Sequence, residues 1–489
     1  MLSDLRRVLS SPFLKFIIGL SVLLRILFQI FYLPNTASSF GPDEGTYAVL
    51  ATYVSEGRPA QDFPVFGPGL YNTARTLIIP SSLLIKFGVN ELVAVRAIAT
   101  LYGFLSLIFL LLCYFAVSNL FISKNRTFDL NLDFFQRCIL LFFTFMPSNF
   151  LWSNLGLRES GSQLFLLSFS YFALKILKSH GIAIATYFLL GVLSLTLAFG
   201  ARRETALVFT VVSLIFSVAL AWRTRNFLIL GLLLIGFIAG QIFTTTPLVE
   251  AREEFSAIEI APGESKSPVP TQSGESKSPV PNPTITSKLI TQKCDKDGQE
   301  IKIDNNNYIC VVTKDFVVKE RNPFESISSQ LLTTRILEYK RNINRIDAQS
   351  ALPQSSCNYN LPKSVVLIVC NVNELPYRLP TFLFRPFPII DSGSNFLRFA
   401  GMENVIWLAL ILISLYMALR RKVSNLNRYI LAWLFSYIII FSVAASLYEG
   451  NLGTAFRHKS SILWPLSLGL LLSLKDSRML LRKMDANQI

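Results

Sequence analysis

Charge is scarce in this chain. Asp, Glu, Lys and Arg make up 16% of its 489 residues, where soluble domains run to about a quarter. Acids are scarcer than bases, 31 against 46, which leaves a net charge of +15. Histidine occurs only twice and no Cys-x-x-Cys pair occurs, so the spacing of a zinc site is missing. A small-residue cleavage site is also missing behind the first apolar run, Leu14 to Leu33. That run reads as a first membrane span and not as a signal peptide. Inside the apolar runs the charges stand out as Arg25 and Arg96, and no repeat relates one run to another. Both absences argue against a transporter or flippase, which would carry intramembrane charges or an inverted repeat.

Hydrophobic residues fill the space that charge leaves. They make up 52% of the chain, 40 of them Phe, and the mean hydropathy is +0.46. Ten runs are apolar and long enough to cross a bilayer: 14–33, 92–120, 136–153, 161–178, 183–200, 205–222, 227–246, 403–419, 428–448 and 460–475. Basic residues mark every second connection: Arg6, Arg7 and Lys15, then Lys124, Arg126 and Arg137, then Lys175 and Lys178, then "RTR" at 223–225, "RRK" at 420–422, and the tail from Lys475 to Lys483. The positive-inside rule puts these connections and both termini in the cytoplasm. It also accounts for the +15 without nucleic acid as a partner. An eleventh apolar run at 69–87 would invert every later loop if it crossed. It contains Asn72, Arg75 and Pro80 and is expected to lie at the outer interface. The expected fold class is thus an all-α polytopic membrane protein of 10 to 11 transmembrane helices.

The expected organisation is a transmembrane module 1–246 with its first outer loop at 34–91, an outer loop domain 247–402, and carboxy-terminal helices 403–489. The loop domain is expected to be small and α+β or irregular. It holds a tandem duplication, "GESKSPVPTQS" and "GESKSPVPNP", within about 260–283; its Pro, Ser and Lys cannot build a core. After it, "KCDKDGQEIKIDNNNYICVV" alternates as a hairpin would, with a turn near Asp304–Asn307. Four of the six cysteines, Cys294, Cys310, Cys357 and Cys370, fall in this loop. Their even number points to two disulfides in an oxidising compartment, with the pairing open among three arrangements.

Two adjacent acids, Asp43 and Glu44 in "SFGPDEGTYAVL", follow the first span. Pro42 suits the first turn of a helix and the acids suit its dipole, so a helix to about Ser55 is expected, with Tyr47 on its apolar side. Capping alone would explain the acids. Four groups of cations, however, also fall on the outer side, where the positive-inside rule wants few: Arg158 beside Glu159, Arg202 and Arg203, Arg385, and Arg457 with His458 and Lys459 near Glu449. Arg forks match phosphate oxygens, and a nearby carboxylate can take a proton from an incoming hydroxyl. A phosphate-linked sugar on a lipid needs both.

With these residues in view, the sequence resembles the C-type-fold superfamily of polytopic membrane glycosyltransferases, which includes the dolichyl- and polyprenyl-phosphate-sugar-dependent mannosyl- and aminoarabinose transferases. "PDEGTY", the following "FGPGLYNTARTLIIPSSLLIKFGVNELVAVRAI" with Gly88 and Arg96, "MPSNFLWSNLGLRES" and "GVLSLTLAFGARRETALVF" carry the likeness, over about 1–225. "NLGTAFRHKSSILWP" is similar to an end motif shared with polysaccharide polymerases. The resemblance implies a sugar transferred from a polyprenyl-phosphate donor to a glycan, lipid or protein acceptor outside a bacterial inner membrane. It makes Asp43 the base, with Glu44 assisting. Arg202, Arg203, Arg457, His458, Arg75 and Arg385 become phosphate-binding candidates. Tyr47, Arg158, Glu159 and Glu449 become support for the acceptor or the loops. Some relatives require a divalent cation such as Mg or Mn and others do not. A polysaccharide polymerase or ligase of the O-antigen type is the alternative reading.

Overall fold

A computed structural model describes residues 1–32, 42–58, 67–120, 132–224, 227–244, 298–304, 307–312, 372–387, 395–420, 425–448 and 452–486. By packing, the chain divides into a helical unit, Met1–Thr246 with Asn322–Ile489, and a smaller unit, Pro247–Arg321.

The helical unit runs α1 (Leu2–Val8), α2 (Pro12–Leu27, extended by a π turn, Phe28–Tyr32), α3 (Pro42–Ser55), α4 (Gly67–Lys86), α5 (Glu91–Leu120), α6 (Phe134–Phe145), α7 (Pro147–Asn154), α8 (Glu159–Ile176), α9 (Ile182–Ala201), α10 (Arg203–Thr224) and α11 (Leu228–Thr244). It resumes with α12 (Leu375–Phe384), α13 (Asn395–Arg420), α14 (Asn425–Tyr448) and α15 (Leu452–Ala486). Among the described residues, six stretches are long and apolar enough to cross a membrane: Pro12–Phe31, Glu91–Ser118, Phe134–Asn154, Ile182–Ala201, Arg203–Trp222 and Arg428–Leu447. Leu228–Thr244 and Ala400–Ile413 are apolar but shorter. The outer faces of these helices are apolar too: Phe16, Phe31, Ile182, Ile215, Ile242 and Ile439 are all more than half exposed. A soluble surface does not carry such a coat; a bilayer requires it.

Two helices form the interior. Most of α8 from Glu159 to Phe172 is buried, because it packs on α5, α7, α9, α10, α11 and α15. The α15 helix is buried almost continuously from Phe456 to Ser473 and meets α5, α6, α7, α8, α12, α13 and α14. Both contain many Ser residues, and some of their hydroxyls bond back to their own helix, as Ser170 does to Leu166 O and Ser473 to Gly469 O. Small residues let helices approach closely: Gly236 and Gly240 of α11 lie against Leu195 and Phe199 of α9.

The expected helix at 42–55 is α3. The apolar run 69–87 is one helix, α4, bent at Ala74 and containing Pro80; it is not among the stretches apolar enough to cross a membrane. The loop expected over 247–402 is divided, since α12 packs on α13, α14 and α15 within the helical unit. In the smaller unit, β1 (Gly298–Asp304) pairs antiparallel with β2 (Asn307–Val312), and the register breaks between Lys302 and Asp304. That is the expected hairpin. Cys310 falls on β2. Cys294, Cys357, Cys370 and the duplicated segment lie outside the described residues, as does Glu449.

Candidate functional site

The two opening acids part company. Glu44 turns inward and is 1% exposed, paired with the equally buried Arg96 of α5. Arg96 Nε reaches Glu44 Oε1 at 2.5 Å and Nη2 reaches Oε2 at 3.1 Å, and the Gly156 amide donates to Oε1 at 3.2 Å. This carboxylate is fully engaged in clamping α3 to α5 and to the turn before α8. Asp43 turns outward. Its side chain is 47% exposed, and its Oδ2 accepts from Arg457 Nη1 at 2.5 Å.

From Arg457 a chain of charges runs into the protein. Arg457 Nε lies 3.0 Å from Glu159 Oε1. Arg202 Nη1 donates to the same oxygen at 3.3 Å, and Arg202 Nη2 bonds to His458 Nε2. A guanidinium cannot accept a hydrogen bond, so His458 presents the unprotonated nitrogen there. Glu159 and His458 both precede the apolar runs of their helices. Burial would raise the Glu159 carboxyl, but Arg457, Arg202 and Arg158 outweigh it and hold it below the usual range. Burial, reinforced by Arg202 and Arg158, pushes His458 well below its ordinary value, so it stays neutral. Tyr47 is buried beside Arg158, Glu159, Arg457 and Asp43, and burial raises its hydroxyl, which stays protonated.

Several polar atoms of Glu159 and of α4, α8, α10 and the arginines at their starts are buried without a hydrogen bond inside the protein. They are Glu159 Oε2 itself, Ser162 Oγ and Gln163 Nε2 of α8, Arg158 Nε, Arg202 Nε, Thr205 Oγ1 of α10 and Thr76 Oγ1 of α4. Protein interiors rarely tolerate so many in one region. Such atoms are open to water or another polar partner.

The helix starts explain why these side chains converge. Arg158 and Glu159 open α8, Arg202 and Arg203 open α10, and Arg457 to Lys459 lie near the start of α15, so all meet at one end of the bundle. Arg203 instead donates to Gln241 on α11 at 2.8 Å. Arg75 is bonded to Asn72 and to Phe243 O and stacks on Tyr71 and Phe243, which ties α4 to α11. Arg158 Nη1 donates to Thr73 O at 3.3 Å. Arg385 contributes its carbonyl, which accepts from the buried Lys459 Nζ; Lys459 also donates to Asn404 Oδ1 at 3.0 Å.

Sequence reasoning assigned neither the Arg96 partner of Glu44 nor the Lys459–Asn404 pair. The signal was there for the first: a charge inside an apolar span needs a partner. Nothing in the sequence pointed to Asn404.

Among the described residues no three His, Cys, Asp or Glu side chains come together, and Glu44, the natural second ligand to Asp43, is held by Arg96. No protein-family model, no curated protein and no solved structure matches this chain.

Proposed function

We propose that this is a multi-pass membrane glycosyltransferase with a C-type fold. It takes a sugar from a polyprenyl-phosphate donor and passes it, with inversion, to a hydroxyl of a glycan, lipid or protein. In this reading the Asp43 end of the bundle faces outward from a bacterial inner membrane and both termini are cytoplasmic. The observation that carries the reading is the half-exposed Asp43 resting on Arg457, with the buried Glu159, Arg202 and His458 behind it.

The donor phosphate would take the exposed edge of Arg457 from Asp43, with Arg202 and Arg158 adding positive charge. That exchange frees the Asp43 carboxylate at the moment a base is needed. The acceptor oxygen attacks the anomeric carbon and passes its proton to Asp43. The bond from the anomeric carbon to the phosphate oxygen breaks, and its electron pair leaves on the phosphate, where the guanidinium groups stabilise it. Glu159 acts by position: its Oε1 meets both Arg457 and Arg202 and holds the two guanidinium groups side by side.

The test supplies the protein in lipid with radiolabelled polyprenyl-phosphate sugars and a membrane extract as acceptor. Asp43→Asn should lose transfer by roughly 10²- to 10⁴-fold, the span of a general base, and keep donor binding. Arg457→Ala should weaken donor binding itself. Full transfer by Asp43→Asn would remove the base from the scheme and favour the polymerase or ligase reading, which uses the arginines alone.

A further inference from the structure

A 120 Å³ cavity lies between α8, α10, α11 and α14, lined by Ala173, Leu177, Phe216, Leu220, Ile229 and Trp433 among others. Phe169, at its upper end, is ten residues beyond Glu159, about 15 Å along α8, so the cavity sits toward the opposite end of the bundle from the charge cluster. Three serines on its wall are already committed. Ser170 bonds to Leu166 O, Ser217 to Leu214 O, and Ser213 accepts from Trp433 Nε1. The cavity therefore offers little but hydrocarbon to a guest. Its volume is below the roughly 150 Å³ that takes a benzene ring, which suits a run of a few methylenes and excludes a sugar or other polar head.

The rim is different. Lys178 follows Leu177 and Arg428 precedes Tyr429, both exposed, at the ends of two of the lining helices. An apolar slot between membrane-spanning helices with a cationic rim has the chemistry of a phospholipid site: chain inside, anionic head outside.

We propose that this cavity holds a run of methylenes from one acyl chain of an anionic phospholipid whose head group is bound by Lys178 and Arg428. The site is independent of the glycosyl-transfer reading and survives its failure.

Trp433 reports on it directly. The full chain, purified and delipidated in detergent, is titrated with a few equivalents of phosphatidylglycerol or phosphatidylcholine carrying a dibrominated acyl chain. Tryptophan quenching is compared with that of Trp433→Phe, which isolates the Trp433 contribution. Brominated phosphatidylglycerol should quench Trp433 and bind more tightly than phosphatidylcholine by about fivefold for each basic residue at the rim. Lys178→Gln with Arg428→Gln should abolish that preference. Ala173→Phe, and the milder Ala173→Leu should the first fail to fold, should remove the Trp433 quenching. Unchanged quenching in the Ala173 variants would put the chain elsewhere. Equal affinity for the two head groups in the wild type would overturn the anionic lipid.

Discussion

Replacing Arg96 by Met separates the two roles open to the Asp43–Glu44 pair. Arg96 gives Glu44 two charge-assisted hydrogen bonds, at 2.5 and 3.1 Å, in a setting where both side chains are 3% exposed or less. Each such bond contributes about 1.5–3 kcal/mol. The Gly156 amide would still donate to Glu44 Oε1, on a carboxylate with no access to water. Loss of both bonds gives about 3–5 kcal/mol of destabilisation, the range found when one partner of a buried ion pair is removed. Removing both charges costs far less, because no buried charge is stranded. Glu44→Gln combined with Arg96→Met should therefore recover most of the loss. Unfolding by rising SDS fraction in mixed micelles, followed by tryptophan fluorescence, measures all four proteins of the cycle. If Arg96→Met lies within about 1 kcal/mol of wild type, or the double variant is no better than the single, the clamp does not hold α3 in place. On the proposed glycosyltransferase reading, an intact clamp also means that the double variant keeps the sugar transfer of the wild type, because Glu44 then only positions Asp43.

Asp4 makes a pH-dependent contribution outside the spans. Burial alone would raise its carboxyl, but hydrogen bonds from Tyr171 at 2.7 Å and Lys175 at 2.9 Å outweigh it and hold the group below the ordinary range. Its contribution is therefore present above the unfolded-state value, about 3.9, and is lost as pH falls through the lower folded value. Asp4→Asn should be about 1 kcal/mol less stable than wild type at pH 7, with the gap closing toward pH 3 in the same unfolding assay; a gap independent of pH would refute the assignment. Gly240→Ala would drive a methyl group into the Phe199 ring where α11 meets α9, and should cost about 1–3 kcal/mol, whereas an unchanged unfolding midpoint would show that the two helices can separate freely.

The helices were legible because their causes are local. Pro42 with two acids after it starts α3 where first-turn chemistry says it should. The apolar runs became helices because a bilayer allows a lone segment no other structure. Asp43 and the arginines at the starts of α8, α10 and α15 could be gathered from sequence, because the loop alternation put all of them at one end. Their pairing could not be read that way. Glu44 and Arg96 are 52 positions apart and Asp43 and Arg457 are 414 apart. Which acid turns in and which turns out depends on about 100° of rotation along α3, and the neighbours that set it come from α5 and α15. Glu159 was visible as an acid beside an arginine, but its place between Arg457 and Arg202 arises only when three helix starts meet.

Arg457, His458 and Lys459 leave a single turn of α15 about 100° apart and reach three different places: Asp43 and Glu159, Arg202, and the Arg385–Asn404 link. The helix behind them is buried on nearly every side as far as Ser473. The chain can therefore absorb changes of length before this turn far more easily than after it. One residue inserted between Lys459 and Ile462 would rotate all three side chains against a helix that cannot turn to follow, and would undo every pairing at once. The stretch from Arg457 to Ile462 is thus a fixed measure of length in this protein: no residue can be added or removed there without moving all three side chains.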